Sequence, residues 1–294
     1  MKNIQINTEY MMPWIMGFIK TFDDCPVVVS DKVLPERSPD VLLWMWCNPY
    51  TVDYINHERK LCPYIVYIRR FEYHAGYWTK LDWSKVDEII MVNDVLAEKV
   101  KKELKRDIHV IYNGVEPDKW TFRERGHGNK IAMVCLVNMK KNLPLALQIL
   151  AKLPEDYQLH IAGGYQDIEV IDYFYNLGRK LKKDIYFSDQ IKMEEVDHWL
   201  DDKNYILCTS LVEGNPNNVL EGMAKGLKPI VHNWPGSEQQ FGSYVFDTID
   251  QAVDMINPSS PYNSKEYRNL VNEKFGNGNY QRVRDLVNKV VGGI

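Results

Sequence analysis

Short, continuous apolar runs alternate with helical patterns along most of this chain. Runs such as Val41–Cys47 and Tyr64–Ile68 have no polar face, whereas Val95–Leu104 repeats apolar residues at helical spacing. A strand without a polar face is covered on both sides, and in a parallel sheet the connecting helices provide that cover. The pattern therefore predicts an α/β fold built on parallel sheets.

Two such series follow each other, and each is long enough for a domain of its own. The first covers residues 1–112 and the second covers residues 113–275, with the polar stretch Asn113–Asn129 at the junction. Residues 276–294 contain a final amphipathic helix. We expect two Rossmann-like parallel-sheet domains that face each other across a cleft, with ligands at the carboxyl ends of the strands.

Charge and composition exclude several function classes. The 294 residues carry a net charge of -4, so no strong basic field is available for nucleic acid. Five cysteines are scattered without CxxC spacing, as expected for reduced core residues of a cytoplasmic protein. No metal-ligand spacing is present, so no metal site is predicted.

The sequence also limits what can be expected of a membrane role. The N-terminus lacks the apolar stretch of a signal peptide, and the longest apolar run, Val41–Cys47, is too short to span a bilayer. The helix predicted over Tyr10–Phe22 is rich in Trp and Met. Its apolar residues run almost all round, which favours burial, and peripheral contact with a membrane surface is the alternative.

One acidic string carries the strongest chemical signal. Glu213 and Glu221 stand eight positions apart, separated by a Gly-Asn-Pro-Asn turn and the first turn of a predicted helix. Amide groups at a helix start can face a phosphate, and a nearby carboxylate can accept hydrogen bonds from sugar hydroxyls. The layout therefore suits a sugar nucleotide. For either glutamate alone, an ordinary acidic turn ahead of a helix is the alternative.

Further motifs surround that string in a fixed order. Ile111-Tyr-Asn-Gly-Val115 stands at the predicted junction, and Lys140-Lys-Asn142 follows the first strand of the second domain. Leu159-His-Ile-Ala-Gly-Gly164 runs from a strand into a glycine turn, and Pro235-Gly-Ser-Glu238 follows a later strand. Together with the E-x7-E string, these motifs resemble those of GT-B fold glycosyltransferases, specifically the family-four retaining enzymes that use nucleotide sugars.

The resemblance implies a specific activity. A hexosyl group would move from a nucleotide-diphosphate sugar to an acceptor hydroxyl, with retention at the anomeric carbon and without a metal or other cofactor. The acceptor would be a glycan, a lipid-linked glycan or a protein. The resemblance also implies that the C-terminal helix returns toward the first domain.

Roles for individual residues follow from the same resemblance. Lys141 would bind the diphosphate, Glu213 would contact the transferred sugar, and Glu221 would accept hydrogen bonds from the ribose hydroxyls. The implied donor-binding set is Lys140, Lys141, Gly163, Gly164, Glu213, Gly214, Asn215, Asn217, Asn218, Val219, Leu220 and Glu221. For the glycines of the strand-to-turn motif and for Asn215 and Asn217, simple turn chemistry is an equal alternative.

The chain departs from the family pattern in three ways. Leu136 stands where an arginine is usual, no glycine-rich turn follows the first strand, and the first domain is short. Charged residues crowd the carboxyl end of the strand Ile65–Ile68, where Arg69 or Arg70 could help to hold the diphosphate in place of the missing arginine. The predicted catalytic set is Glu213, Lys141, His74 and Arg69, and the predicted acceptor-binding set is Arg70, Glu72 and His74. A solvated charged loop is the alternative for the first-domain residues.

Two other functions on this fold stay open. A nucleotide-sugar epimerase would need acid/base groups across the cleft, and no matching motif is present. A non-catalytic sugar-nucleotide-binding protein would tolerate the loss of the family arginine and of the glycine-rich turn. The intact Glu213 and Glu221 pair and Lys141 argue against that second alternative.

Overall fold

The computed structural model of the protein describes residues 3–11 and 13–292. The chain divides into two compact units, of which unit 1 comprises Met1–Val115 and Lys274–Ile294, and unit 2 comprises Glu116–Glu273. The domain boundaries predicted after residues 112 and 275 stay a prediction.

Unit 1 begins with alternating strands and helices. In chain order they are β1 (Ile4–Asn7), α1 (Pro13–Ile19), β2 (Val27–Ser30), β3 (Val41–Trp44), α2 (Pro49–His57), β4 (Tyr64–Ile68), α3 (Arg70–Ala75), β5 (Glu88–Met91), α4 (Asp94–Leu104) and β6 (His109–Val110). Every residue of β3 and of β4 is buried, as their unbroken apolar runs predict. Helices α2 and α4 begin at Asn48 and Asn93, whose side-chain oxygens accept backbone N–H groups at 2.9 and 3.0 Å.

The sheet of unit 1 is parallel throughout its described residues. Its six strands are ordered β2-β1-β3-β4-β5-β6. The order reverses between β1 and β3, so the connections after these two strands leave in opposite directions and a crevice opens at the carboxyl ends of the strands.

Unit 2 contains a second alternating series. In chain order it comprises β7 (Lys130–Val134), α5 (Leu143–Lys152), β8 (Gln158–Ala162), α6 (Ile168–Leu181), β9 (Asp184–Ser188), α7 (Met193–Trp199), β10 (Tyr205–Cys208), α8 (Asn217–Ala224), β11 (Lys228–His232), α9 (Ser237–Phe241), β12 (Val245–Phe246) and α10 (Ile249–Ile256). The six parallel strands are ordered β12-β11-β10-β7-β8-β9, which is the Rossmann order. The strand order of this unit reverses between β10 and β7.

Two helices complete the chain, α11 (Ser264–Phe275) and α12 (Gly278–Gly292). Helix α12 forms part of unit 1, where Val283 and Val287 join the core beside β1 and β3. The hydroxyl of Tyr280 donates to the Gly114 carbonyl at 2.6 Å. A Cβ at Gly114 would lie 2.3 Å from the Tyr280 ring, so glycine is required in this junction motif. The expected return of the C-terminal helix to the first domain is confirmed.

Helix α1 is shorter than the predicted Tyr10–Phe22 helix. Its residue Phe18 is buried in the core of unit 1, as is Phe22 in the short 3₁₀ turn that follows. Met16 on the same helix is exposed. Across the described part of the chain, none of the helices combines the length and the apolar character that crossing a bilayer requires.

Candidate functional site

The strand reversal in unit 2 brings together two loops that are far apart in the sequence. One follows β7 and contains Lys140 and Lys141, and the other follows β10 and contains Glu213. Ligands of open α/β sheets bind where such loops diverge, at the carboxyl ends of the strands. The two predicted residues Lys141 and Glu213 therefore lie where the topology favours a binding site.

Lys141 and Glu213 form an ion pair across these loops. The Lys141 Nζ lies 2.5 Å from Glu213 Oε1, and the side chains are only 21% and 12% exposed. Burial opposes the charge of the ammonium, but the Glu213 carboxylate outweighs burial and raises the pKa of Lys141 above its usual value. Lys141 is therefore fully charged at neutral pH.

Hydrogen bonds hold both members of this pair in place. The hydroxyl of Ser210 donates to Glu213 Oε1 at 2.8 Å, and that of Thr209 donates to the Lys141 carbonyl at 2.7 Å. The backbone N–H of Leu211 donates to the carbonyl of Lys140, whose side chain is exposed, at 2.9 Å. The lysine loop is thus anchored to the residues that follow β10.

The predicted glycine turn packs against the same lysine loop. Gly163 has φ +146°, and a Cβ there would lie 1.9 Å from the carbonyl oxygen of Cys135. The carbonyl of Gly164 accepts the backbone N–H of Val137 at 2.8 Å. Gly163 therefore permits a close approach between two backbone segments. The predicted contact of both glycines with the donor stays a prediction.

The turn between Glu213 and helix α8 is largely buried. Asn215 donates from Nδ2 to Gln240 Oε1 at 2.8 Å, and Gln240 Nε2 donates to the Gly214 carbonyl at 2.7 Å. Asn217 is partly exposed at the first position of α8. The side chain of Asn218 donates to the Val134 carbonyl, the last residue of β7, at 2.8 Å.

The backbone N–H groups at the start of α8 differ in whether they can donate to a ligand. Those of Val219 and Leu220 donate to the Pro216 carbonyl at 3.1 and 3.4 Å, so the helix itself uses them. The amide of Asn218 lies at the second helical position, ahead of the first intrahelical bond. Of the three amides predicted to face a phosphate, that of Asn218 has the suitable placement.

Glu221 lies in the second turn of α8 and is 8% exposed. Burial raises the pKa of its carboxyl to about 7. A buried carboxylate gains most from a ligand that donates hydrogen bonds to it, and paired ribose hydroxyls are such donors. The geometry is compatible with the predicted ribose contact.

In unit 1, Arg69 is 8% exposed and held on several sides. Its Nε donates to the Met45 carbonyl at 3.2 Å and its Nη1 donates to Asn113 Oδ1 at 2.7 Å. The guanidinium stacks over the rings of Trp46 and Tyr67, at 5.2 and 4.9 Å from their centroids. Burial lowers the pKa of Arg69 to about 10, which leaves it charged at neutral pH.

The remaining predicted residues of unit 1 follow Arg69 in helix α3. Glu72 is 2% exposed, and its carboxylate accepts the backbone N–H of Arg69 at 3.1 Å. This is the geometry of a capping side chain, which the prediction of an acceptor contact for Glu72 did not foresee. Arg70 is partly exposed and His74 is exposed, with its ring edge-on to Tyr73.

Sequence reasoning missed three site residues, Ser210, Thr209 and Gln240. Ser210 and Thr209 directly follow β10. Residues at the carboxyl end of a strand often line the ligand site of an open α/β sheet, so this position could have identified them. Gln240 had no signal, because nothing local distinguishes it from a surface glutamine. Within residues 3–11 and 13–292, no cluster of three or more His, Cys, Asp or Glu side chains could hold a metal ion.

Comparison with known proteins identifies the segment that carries this site. The family model described as glycosyl transferases group 1 matches residues 115–253. This segment is similar to the group 1 glycosyltransferases. The matched residues include both loops of the Lys141–Glu213 pair, the glycine turn and helix α8.

Solved structures of similar fold extend over the whole chain. HepE from Anabaena, in complex with UDP and glucose, superposes with a TM-score of 0.81 at 10% identity, covering 98% of this chain and 100% of that one. The lipopolysaccharide outer core galactosyltransferase WaaB gives 0.73 at 16% identity, with 100% of both chains covered. AviGT4, a glycosyltransferase involved in avilamycin A biosynthesis, gives 0.71 at 14% identity, covering 100% and 98%. The chain therefore has the GT-B glycosyltransferase fold, while no curated protein sequence matches it.

Proposed function

We propose that this protein is a retaining, metal-independent hexosyltransferase that moves a sugar from a nucleoside-diphosphate sugar to an acceptor hydroxyl. The observation that carries the proposal is the charged Lys141 beside Glu213 at the strand reversal of unit 2. A lysine fixed there can balance the charge of a diphosphate, which is the leaving group of the reaction. The group 1 family of residues 115–253 supports the same chemistry.

Each site residue has a role in this proposal. Lys141 and the Asn218 amide stabilise the charge that develops on the leaving diphosphate, and Glu221 accepts the ribose hydroxyls. Glu213 faces the transferred sugar and stabilises positive charge at its anomeric carbon. The bond from that carbon to the phosphate oxygen breaks while the bond to the acceptor oxygen forms on the same face, and the acceptor proton passes to the departing phosphate.

For the donor and the acceptor, we propose chemical classes and not individual compounds. HepE has been crystallised with UDP-glucose, so a uridine diphosphate sugar is the first donor to test. A glycan, a lipid-linked glycan or a protein supplies the acceptor hydroxyl, and Arg70 and His74 of unit 1 bind it. We also propose that the protein acts in the cytoplasm or at the cytoplasmic face of a membrane.

A binding experiment tests the donor half of the proposal. The thermal midpoint of the purified protein is measured with UDP, GDP, ADP, CMP and their sugar conjugates. A ligand at ~100 times its Kd adds about 2.7 kcal/mol to the stability of the folded state, so one nucleotide class should raise the midpoint. Lys141→Ala should abolish that shift, whereas Lys152→Ala, an exposed lysine at the far end of α5, should retain it.

A transfer experiment tests the catalytic half. With the identified donor and a panel of glycan acceptors, Lys141→Ala should reduce kcat by about 10- to 1000-fold, the range for removing one preorganised donor of charge stabilisation. NMR of the product should show the anomeric configuration of the donor. An inverted product would refute retention, and nucleotide binding without transfer to any acceptor would favour the non-catalytic alternative.

A further inference from the structure

Gln240 holds the turn that connects Glu213 to helix α8. It is the fourth residue of α9 and is 1% exposed. Its Nε2 donates to the Gly214 carbonyl at 2.7 Å, and its Oε1 accepts from Asn215 Nδ2 at 2.8 Å. One side-chain amide therefore binds two consecutive residues of the turn.

At neutral pH, a side-chain amide is suited to make both of these bonds. It places a donor and an acceptor side by side on one rigid plane. An ionised carboxylate has no donor for the Gly214 carbonyl, and an apolar side chain would satisfy neither partner. Because Gly214 and Asn215 are both buried, a lost partner is not replaced by bulk water.

Helix α9 is itself fixed to the strand framework. The Ser237 hydroxyl accepts the Trp234 backbone N–H at 3.1 Å and donates to Asn233 Oδ1 at 3.0 Å. The backbone N–H of Asn233 donates to the Phe246 carbonyl in β12 at 2.9 Å. These hydrogen bonds hold α9, and with it Gln240, against the ends of β11 and β12. Through Gln240, the turn between Glu213 and α8 is held in place by the same strand ends.

We propose that Gln240 is a positioning residue that sets the placement of the Glu213 carboxylate and of the first amides of α8. This inference rests on the proposed function, because the groups it positions are those assigned to the donor. Catalytic groups must be positioned accurately relative to the reacting atoms, and a displacement of about 1 Å can lower the rate on the order of 100-fold. Gln240 touches neither reactant in this account and acts through the turn.

Two variants and one control test the proposal. Gln240→Leu removes both hydrogen bonds, and Gln240→Glu keeps the shape of the side chain. Ser264→Ala is the control, because the buried Ser264 side chain also makes two hydrogen bonds, accepting the Arg125 backbone N–H at 2.9 Å and donating to the Gly226 carbonyl at 2.8 Å. All measurements are made at a temperature at which circular dichroism shows each variant folded.

The first measurement does not depend on any ligand. Hydrogen exchange of peptides covering residues 213–220 should become at least tenfold faster in Gln240→Leu than in the parent protein, because the turn has lost its fixed partner. Ser264→Ala should leave that exchange unchanged. Unchanged exchange in Gln240→Leu would overturn the proposal, whether or not the protein proves to be a glycosyltransferase.

The second measurement concerns the reaction. Gln240→Leu should lower kcat by about 10- to 100-fold, on the scale of a displaced catalytic group, while Ser264→Ala stays within twofold of the parent. Gln240→Glu should recover activity relative to Gln240→Leu as the pH falls, since the introduced carboxyl can donate to Gly214 once protonated. Normal kcat in the folded Gln240→Leu variant would refute the positioning role. A parent protein that binds no nucleotide would instead refute the proposed function, and exchange would still decide the role of Gln240.

Discussion

The buried carboxyl of Glu221 should make unit 2 less stable as the pH rises through neutrality. Its pKa moves from 4.5 to about 7 in the folded protein because the carboxyl is buried. Between these two values the folded state binds more protons than the unfolded state, so the free energy of unfolding falls as the pH rises. This difference in pKa corresponds to roughly 3 kcal/mol of stability, most of which is lost between pH 5 and 8.5.

Glu221→Gln removes this titration and keeps the size of the side chain. We expect the stability of the variant, relative to the parent, to increase by roughly 2 to 3 kcal/mol between pH 5 and 8.5. The matched control is Glu155→Gln, at an exposed loop position of the same unit, which should follow the parent at every pH. The contributions of all other titrating groups cancel in the difference between the free energies of unfolding of the variant and the parent.

Hydrogen exchange of the central strands β10 and β7 measures the global opening of unit 2 by itself, after correction for the intrinsic exchange rates. Parallel pH profiles of stability for the parent and Glu221→Gln would refute the raised pKa, since they would mean that Glu221 titrates near its ordinary pKa when folded.

Nucleotide binding tests the same raised pKa in a second way. Ribose hydroxyls favour the ionised carboxylate, so parental affinity should rise from pH 6 to 8, and the variant should show no such rise.

Two further substitutions probe the site and its support. Gly163→Ala should destabilise the protein by more than about 3 kcal/mol in urea unfolding, because it places a Cβ against the Cys135 carbonyl at a positive φ, while Gly126→Ala at an open position should be neutral. A stable, folded Gly163→Ala protein would contradict the packing described. Glu213→Gln should bind UDP roughly tenfold more tightly in calorimetry, because Lys141 loses its competing carboxylate, yet transfer sugar more slowly. Unchanged UDP affinity would mean that Lys141 is not a phosphate ligand.

The sequence predicted most of the strands because their apolar runs are unambiguous. The runs of β3 and β4 are buried at every residue. A short run without polar residues, bounded by polar loops, is typical of a strand that is covered on both faces. Helix α11 was not predicted, because its charged sequence Ser264–Phe275 has a weak apolar stripe. Helices of that kind take their stability from tertiary contacts that a single sequence does not reveal.

The candidate site was predictable as a set of residues but not as a set of contacts. Lys141 and Glu213 were both singled out by motif, yet their separation of 72 positions hides the ion pair that the strand reversal creates. Glu72 was predicted to bind the acceptor, with a solvated charged loop as the alternative, because a local pattern does not show that α3 starts at Arg70 and uses this carboxylate as its cap. Gln240 was missed for a related reason, since its function depends on partners 25 and 26 positions away.

Unit 1 is assembled from two separated pieces of chain, and this constrains the order of folding during synthesis. The residues of unit 2 leave the ribosome before Gly278–Gly292, which supplies Tyr280, Val283 and Val287 to the core of unit 1. Unit 2 is therefore complete while the nascent unit 1 still exposes the apolar surface that α12 covers. Domains fold as units during synthesis, so the first segment waits in an incomplete, aggregation-prone state until α12 emerges. A helix made after the whole of unit 2 thus closes the core of unit 1.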